Sequence, residues 1–293
     1  MINTLQFICN HPLNKKKKIH SIWNFVKWQL IARLWNGAFV YNWIAESRLV
    51  ISKGMTGATG NIYVGLMEYE DMSFLLHYLQ QDDLFFDIGS NVGVYTVLAS
   101  KVKKAKTIAI EPVPSTYEYL RDNIQVNRLE NVISKNIGIG DKIAKLAFTS
   151  DKDTMNSVAT PDDINTFEID VDTLDNLTKV YGVPKIIKID VEGYEYNVIM
   201  GGINLLHNNQ LDAIIIELNG NGIKYGFEDN AIDAILKSAG FAPYTYDPFQ
   251  RNLLLLENHK PSHNTIYLRK SAVERVVHQL KTSEKISIHG INL

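Results

Sequence analysis

The chain has 293 residues, 45% of them apolar, enough for one α/β domain with additions or two modest domains. Its formal net charge of -2 excludes the global basic field of a nucleic-acid binder. Cys9 is the only cysteine, which excludes an intrachain disulfide and fits a reducing, cytoplasmic compartment.

Residues 1–46 differ from the rest and read as an N-terminal extension. All four tryptophans lie here (Trp23, Trp28, Trp35 and Trp43), beside the run Lys15–Lys18, Lys27 and Arg33. Ile19, Ile22, Trp23, Val26, Leu30, Leu34 and Trp35 recur at helical spacing. Two placements fit: a helix lying on the inner face of a membrane or on a partner, and a helical appendage packed on the main domain. No secretory signal and no apolar stretch of membrane-spanning length is present.

The main domain spans 47–270. Arg48-Leu49-Val50-Ile51 and Ile62-Tyr63-Val64 flank Gly54, Gly57 and Gly60, a pattern that predicts a leading β-hairpin. A helix follows over 69–80. Strands are expected at 84–88, 107–111, 132–137, 185–190, 212–218, 241–246, 253–257 and 264–268. Helices are expected at 93–101, 114–127, 172–181, 194–201 and 229–239. This alternation predicts a mostly parallel sheet with helices on both faces, its late, closely spaced strands forming an antiparallel edge. A β segment near 143–149 and a loop over 150–166 interrupt the rhythm. Residues 271–293 read as a C-terminal helix and tail.

The densest motif is Asp87-Ile88-Gly89-Ser90-Asn91-Val92-Gly93, directly after the apolar run Leu84-Phe85-Phe86. Gly89 permits a sharp strand-to-helix turn, and Gly93 opens the next helix, whose N-terminus carries unpaired N–H groups. A dinucleotide fingerprint requires glycines at 89, 91 and 94; this chain has Gly89, Asn91 and Val94. Asp87 repels a pyrophosphate but suits the amino group of a methionine moiety. Glu111, closing the apolar run Thr107–Ile110, suits vicinal ribose hydroxyls. The pattern fits S-adenosylmethionine (SAM) better than the cofactor of an NAD-linked oxidoreductase, the first rival. A non-catalytic module binding membrane or a glycan-assembly partner is the second.

Lys188-Ile189-Asp190-Val191-Glu192-Gly193 places Asp190 and Glu192 at another strand end, where open α/β sheets bind ligands. Asp190 is a further cofactor contact. Asp190 or Glu192 is the expected general base, oriented by Lys188. Glu217 ends a further apolar run and reaches the same rim. Asp141, after Asn136-Ile137-Gly138-Ile139-Gly140, fits an adenine contact and equally a polar turn. Met155-Asn156-Ser157-Val158 has the composition of a lid. Metal ligation has little support, since Pro261 breaks the spacing of His259 and His263.

These motifs, with Glu68-Tyr69-Glu70-Asp71, Glu111-Pro112, Asn156-Ser157, Val171-Asp172-Thr173-Leu174-Asp175 and Gly193-Tyr194-Glu195, resemble the FkbM family of SAM-dependent methyltransferases over roughly residues 60–220. The resemblance implies a Rossmann-like class I methyltransferase fold with a seven-stranded sheet, and O-methylation, commonly of a sugar hydroxyl in a glycan or natural product. It carries Asp87, Gly89, Asn91, Gly93 and Glu111 over to SAM binding, with Ser90 where relatives often have alanine. It fixes neither the base nor the acceptor.

Overall fold

The computed structural model describes residues 2–15, 17–34, 37–149, 158–160, 163–261 and 263–293. Two helices lead, α1 (Ile2–Asn10) and α2 (Lys18–Leu34), then strands β1 (Phe39–Asn42) and β2 (Arg48–Ile51) and helices α3 (Thr56–Val64) and α4 (Tyr69–Tyr78). The alternating region follows with β3 (Leu84–Ile88), α5 (Val94–Val97), β4 (Lys106–Ile110), α6 (Pro114–Asn127) and β5 (Val132–Lys135). Next come β6 (Gly138–Ile139), β7 (Ala144–Thr149), β8 (Thr166–Asp172), α7 (Leu174–Tyr181), β9 (Ile186–Ile189), α8 (Glu195–Met200), α9 (Ile203–Leu206) and β10 (Ala213–Leu218). The chain closes with α10 (Asp229–Ser238), β11 (Phe241–Asp247), β12 (Asn252–Leu255), β13 (His263–Arg269), α11 (Val273–Thr282), β14 (Ser287–Ile288) and β15 (Ile291–Asn292).

The main sheet has eight strands in the order β12-β11-β13-β10-β9-β3-β4-β5. Strands β10, β9, β3, β4 and β5 run parallel, while β13 is antiparallel to both β10 and β11. The eight apolar segments expected from the sequence are these eight strands. The family likeness implied seven; β12, paired antiparallel with β11, is the extra edge. Central strands are covered on both faces, which is why they read as continuous apolar runs rather than alternating ones. Successive side chains still divide between the layers: Phe85, Ile186 and Ile215 join one core, Phe86, Ile187, Ile214 and Ile216 the other.

The expected hairpin of 48–51 with 62–64 is not formed. Arg48–Ile51 pairs instead with Phe39–Asn42, in the register Phe39↔Ile51 to Asn42↔Arg48. Ile62, Tyr63 and Val64 end helix α3, where all three are buried. Burial outweighs their strand propensity, and the helix is locked locally by Asn61. Its Nδ2 donates to the Gly57 carbonyl at 3.0 Å and its Oδ1 accepts from the Met67 N–H at 2.8 Å. The helix expected over 93–101 is a short α5 continued by a π-helical turn, Leu98–Val102.

The N-terminal helices are built into the domain. Ile8, Leu13, Phe25 and Trp28 share one core with Phe85, Ile186 and Ile215. Trp43 is tied down by a 2.6 Å hydrogen bond from its Nε1 to the Gly65 carbonyl. Trp23, by contrast, is 61% exposed. Among the described residues, no helix is long and apolar enough to cross a membrane.

Candidate active site

Strand β3 lies between β4 and β9, and the chain leaves β3 and β9 toward opposite edges of the sheet. The crevice at such a reversal is where open α/β sheets bind ligands. The register sets Asp87 beside Lys188 and Ile88 beside Ile189, so the two acidic motifs, a hundred residues apart, meet at neighbouring strand ends.

Gly89 makes this approach possible. Its φ is +75°, and a Cβ there would lie 1.8 Å from the Asp190 carbonyl oxygen. No other residue fits the turn. Gly93, with φ +87°, starts α5 and abuts Leu120; it shapes the turn without lining the crevice. Asn91 has φ +52°, accepts from the Val92 N–H at 2.8 Å, and gives its own N–H to Glu111 at 2.9 Å. The Ser90 hydroxyl is buried and has no hydrogen-bond partner among the described residues, a polar group left for a ligand.

Glu111 follows β4. Its Oε2 accepts from Asn91 and its Oε1 from the Val113 N–H at 2.9 Å, which leaves each oxygen a further lone pair. Burial pushes its carboxyl up to about 7 despite those bonds. Asp87 accepts a 2.6 Å hydrogen bond from the Thr96 hydroxyl and is pushed up to about 6, again by burial. Both acids therefore gain from a cationic or hydroxyl-bearing ligand.

The third acid behaves differently. Burial works against ionisation of Asp190, but Lys188 donates to it at 2.7 Å and holds it below the ordinary carboxylate range. Lys188 is itself buried, and burial pulls it down; Asp190, Glu68 and Asp87 together push it above its ordinary value. The Lys188 ammonium also lies 4.9 Å from the centre of the Tyr95 ring. Glu217, beside Asp190, is pushed up to about 8 by burial and by that neighbouring charge.

Glu192 is half-buried at φ +55° and raised by burial and by Asp190. It accepts a long hydrogen bond from the Asn221 Nδ2, at 3.3 Å. The loop beneath it is held by Glu195, whose Oε1 accepts from the Val191 and Gly193 N–H groups at 3.1 Å each.

The crevice has two ends. One is lined by Glu111, Pro112, Val113, Ile139, Phe148 and Tyr194, an apolar slot with a carboxylate at its mouth. The other is lined by Glu68, Asp87, Ser90, Tyr95, Lys188 and Asp190. Gly89, Asn91 and Asp190 border both. A planar base suits the first end and a charged amino acid the second, so this donor set fits SAM. Asp141 is exposed and does not line the slot, whose floor is Gly138 and Ile139, but its charge reaches the slot residue Tyr194. Met155, Asn156 and Ser157 lie outside the described residues.

Phe148 and Tyr95 lie outside every motif. Phe148 comes from β7, the interruption of the strand–helix rhythm, which pairs with β8 and forms a small core with Val158 and Ile169. Among the described residues, no group of three or more His, Cys, Asp or Glu is placed to hold a metal ion.

The chain is 28% identical over 154 residues to the hexuronic acid methyltransferase AglP of Haloferax volcanii, a match covering 52% of this chain and 62% of that protein. The chain thus spans about three fifths of that relative's length. It is 25% identical over 186 residues to Methyltransferase 1 of Beauveria bassiana, covering 55% and 73%. Among solved structures, M. jannaschii TYW2 in complex with AdoMet is similar at 14% identity and a TM-score of 0.43, covering 80% of this chain and 86% of that one. The model of the Methyltransferase FkbM domain matches residues 87–243, more than half of the chain. That span runs from Asp87 through both acidic motifs and removes the oxidoreductase reading. The chain belongs to the FkbM methyltransferase family, a family of SAM-dependent enzymes.

Proposed function

We propose that this protein transfers a methyl group from SAM to a hydroxyl oxygen, with a sugar of a glycan or natural product as the acceptor. The observation that carries this reading is the meeting of Asp87, Glu111 and Asp190 around Gly89. The hexuronic acid specificity named for the archaeal relative supports a sugar acceptor.

Glu111 would hold the ribose hydroxyls, the Ile139–Phe148–Tyr194 slot would take the adenine, and Asp87 and Asp190 would face the positively charged methionine end. When bound, SAM supplies a methyl group on a positively charged sulfur. The chain's own task is then to align an acceptor oxygen and to take its proton. Holding two partners in reacting geometry contributes as much as about 7–11 kcal/mol.

Glu192 is the proton acceptor in this proposal. Asp190 is committed to Lys188 and held ionised below the ordinary range, which makes it a weak base. Glu192 is raised by burial and by Asp190, and the hydrogen bond it accepts from Asn221 is long. Lys188 acts as a positioning residue, fixing Asp190 at the strand end. Glu192→Gln should leave SAM affinity unchanged and lower kcat by about 10²–10⁴-fold. Turnover, measured as S-adenosylhomocysteine release with a panel of saccharides, checks this. Full turnover in the variant would remove Glu192 from the role.

A further inference from the structure

Helix α2 is apolar on two sides. On one, Ser21, Phe25 and Trp28 are buried, with Phe25 edge-on to Tyr63 at 5.3 Å. On the other stand Ile19, Trp23, Val26, Leu30 and Leu34, spaced so that they form one stripe along the helix. These are exposed by 86%, 61%, 40%, 52% and 86%. A helix apolar on two opposite sides has two faces to cover, yet this one leaves a stripe about 25 Å long facing water.

The charges of its own segment are of one sign. Lys15, Lys17, Lys18, Lys27 and Arg33 are all exposed. No Asp or Glu occurs before Glu46, although the whole chain is at -2. A second copy of the chain would set these cations against themselves, with no acid in the segment to pair with them. A surface of negative charge over an apolar interior complements both features at once.

We propose that α2 lies on an anionic lipid surface. Trp23, Leu30 and their neighbours enter the boundary between headgroups and acyl chains, and the flanking cations meet lipid phosphates. Tryptophan is suited to that depth, with an apolar ring and one N–H donor. The attachment is peripheral, and none of the stripe residues lines the cofactor crevice.

The test is co-sedimentation of the full chain with phosphatidylcholine vesicles, with and without phosphatidylglycerol. The chain should pellet only with the anionic vesicles, and Trp23 emission should shift to the blue, a shift lost in Trp23→Phe. Lys15→Gln/Lys18→Gln/Lys27→Gln should lower partitioning about a hundredfold. Lys17 stays in place because it also donates to the His289 carbonyl. Ile19→Ser/Trp23→Ser/Leu30→Ser alters only exposed positions and should lower partitioning by a similar factor. Absence of binding by the unaltered chain, or binding by both triple variants as tight as that of the unaltered chain, overturns the proposal. So does a stripe-dependent dimer without vesicles, which would make a second copy the occupant. SAM affinity, measured without vesicles, is independent of every one of these outcomes.

Discussion

At Gly89 the requirement is steric before it is chemical. The backbone is in the left-handed region and the Asp190 carbonyl occupies the space of a side chain. Left-handed backbone alone costs an L-residue about 1–2 kcal/mol. Gly89→Ala should therefore lose at least about 2 kcal/mol of stability and most SAM affinity, measured by denaturant unfolding and calorimetry. An alanine variant of ordinary stability and affinity would mean that the two loops are not apposed. Gly89, Asp87, Glu111 and Asp190 were legible from sequence because each sits at the end of an apolar run, where the pattern itself marks a strand terminus. Asp141 has the same residue type beside a similar turn but faces solvent. Sequence spacing does not say which way a turn residue points. Glu195 lay within the family pattern, yet its capping of the 191–193 loop needed coordinates.

Among the elements, α6 does more than cover the sheet. Asn123 is fully buried; its Oδ1 accepts from the Val50 N–H and its Nδ2 donates to the Val92 carbonyl, both at 2.7 Å. Asn127, one turn on, accepts from the Arg48 N–H at 2.8 Å and donates to the Arg48 carbonyl at 2.7 Å. Two amides on one helix thus hold β2, and Asn123 ties it to the cofactor loop. Asn123→Ala strands two buried backbone groups at about 1–3 kcal/mol each. A loss of about 2–6 kcal/mol is expected by urea unfolding; a change under about 1 kcal/mol would show that water replaces the amide. Legibility followed length and burial. The eight sheet strands and the helix 114–127 were readable as apolar runs or long amphipathic periods. Ile62-Tyr63-Val64 was not, because three apolar residues at a helix end have the same pattern as a buried strand. Phe39–Asn42 gave no signal, since its side chains are largely exposed.

Across the whole molecule, buried acids set the pH response. Burial is the leading cause that pushes Asp71, Glu111 and Glu195 to about 7 and Glu217 to about 8. Unfolded, they titrate near about 4. The folded chain therefore holds protons that the unfolded chain releases, and this stabilisation is lost as pH rises through about 7–8. Buried His11 and His77, lowered to about 4 and about 3, act in the opposite sense, but only below their ordinary value near 6.5. Asp190 and Asp212, held low by cationic partners, matter only in stronger acid. Tm should therefore fall by a few degrees between about pH 6.5 and about pH 8.5, with a shallower slope in Glu217→Gln. A Tm that rises over this range would contradict the burial of these carboxyls. The same sheet that buries them also brings the two acidic motifs together, and that meeting is what makes one cofactor site.

Calorimetric titration of SAM into the unaltered chain and into Asp87→Asn/Glu111→Gln tests that site most directly. The substitutions preserve shape, and circular dichroism should be unchanged. Each lost charge-assisted contact is worth about 1.5–3 kcal/mol, so affinity should fall at least about a hundredfold. Equal affinity in the two proteins would contradict a cofactor site built on Asp87 and Glu111.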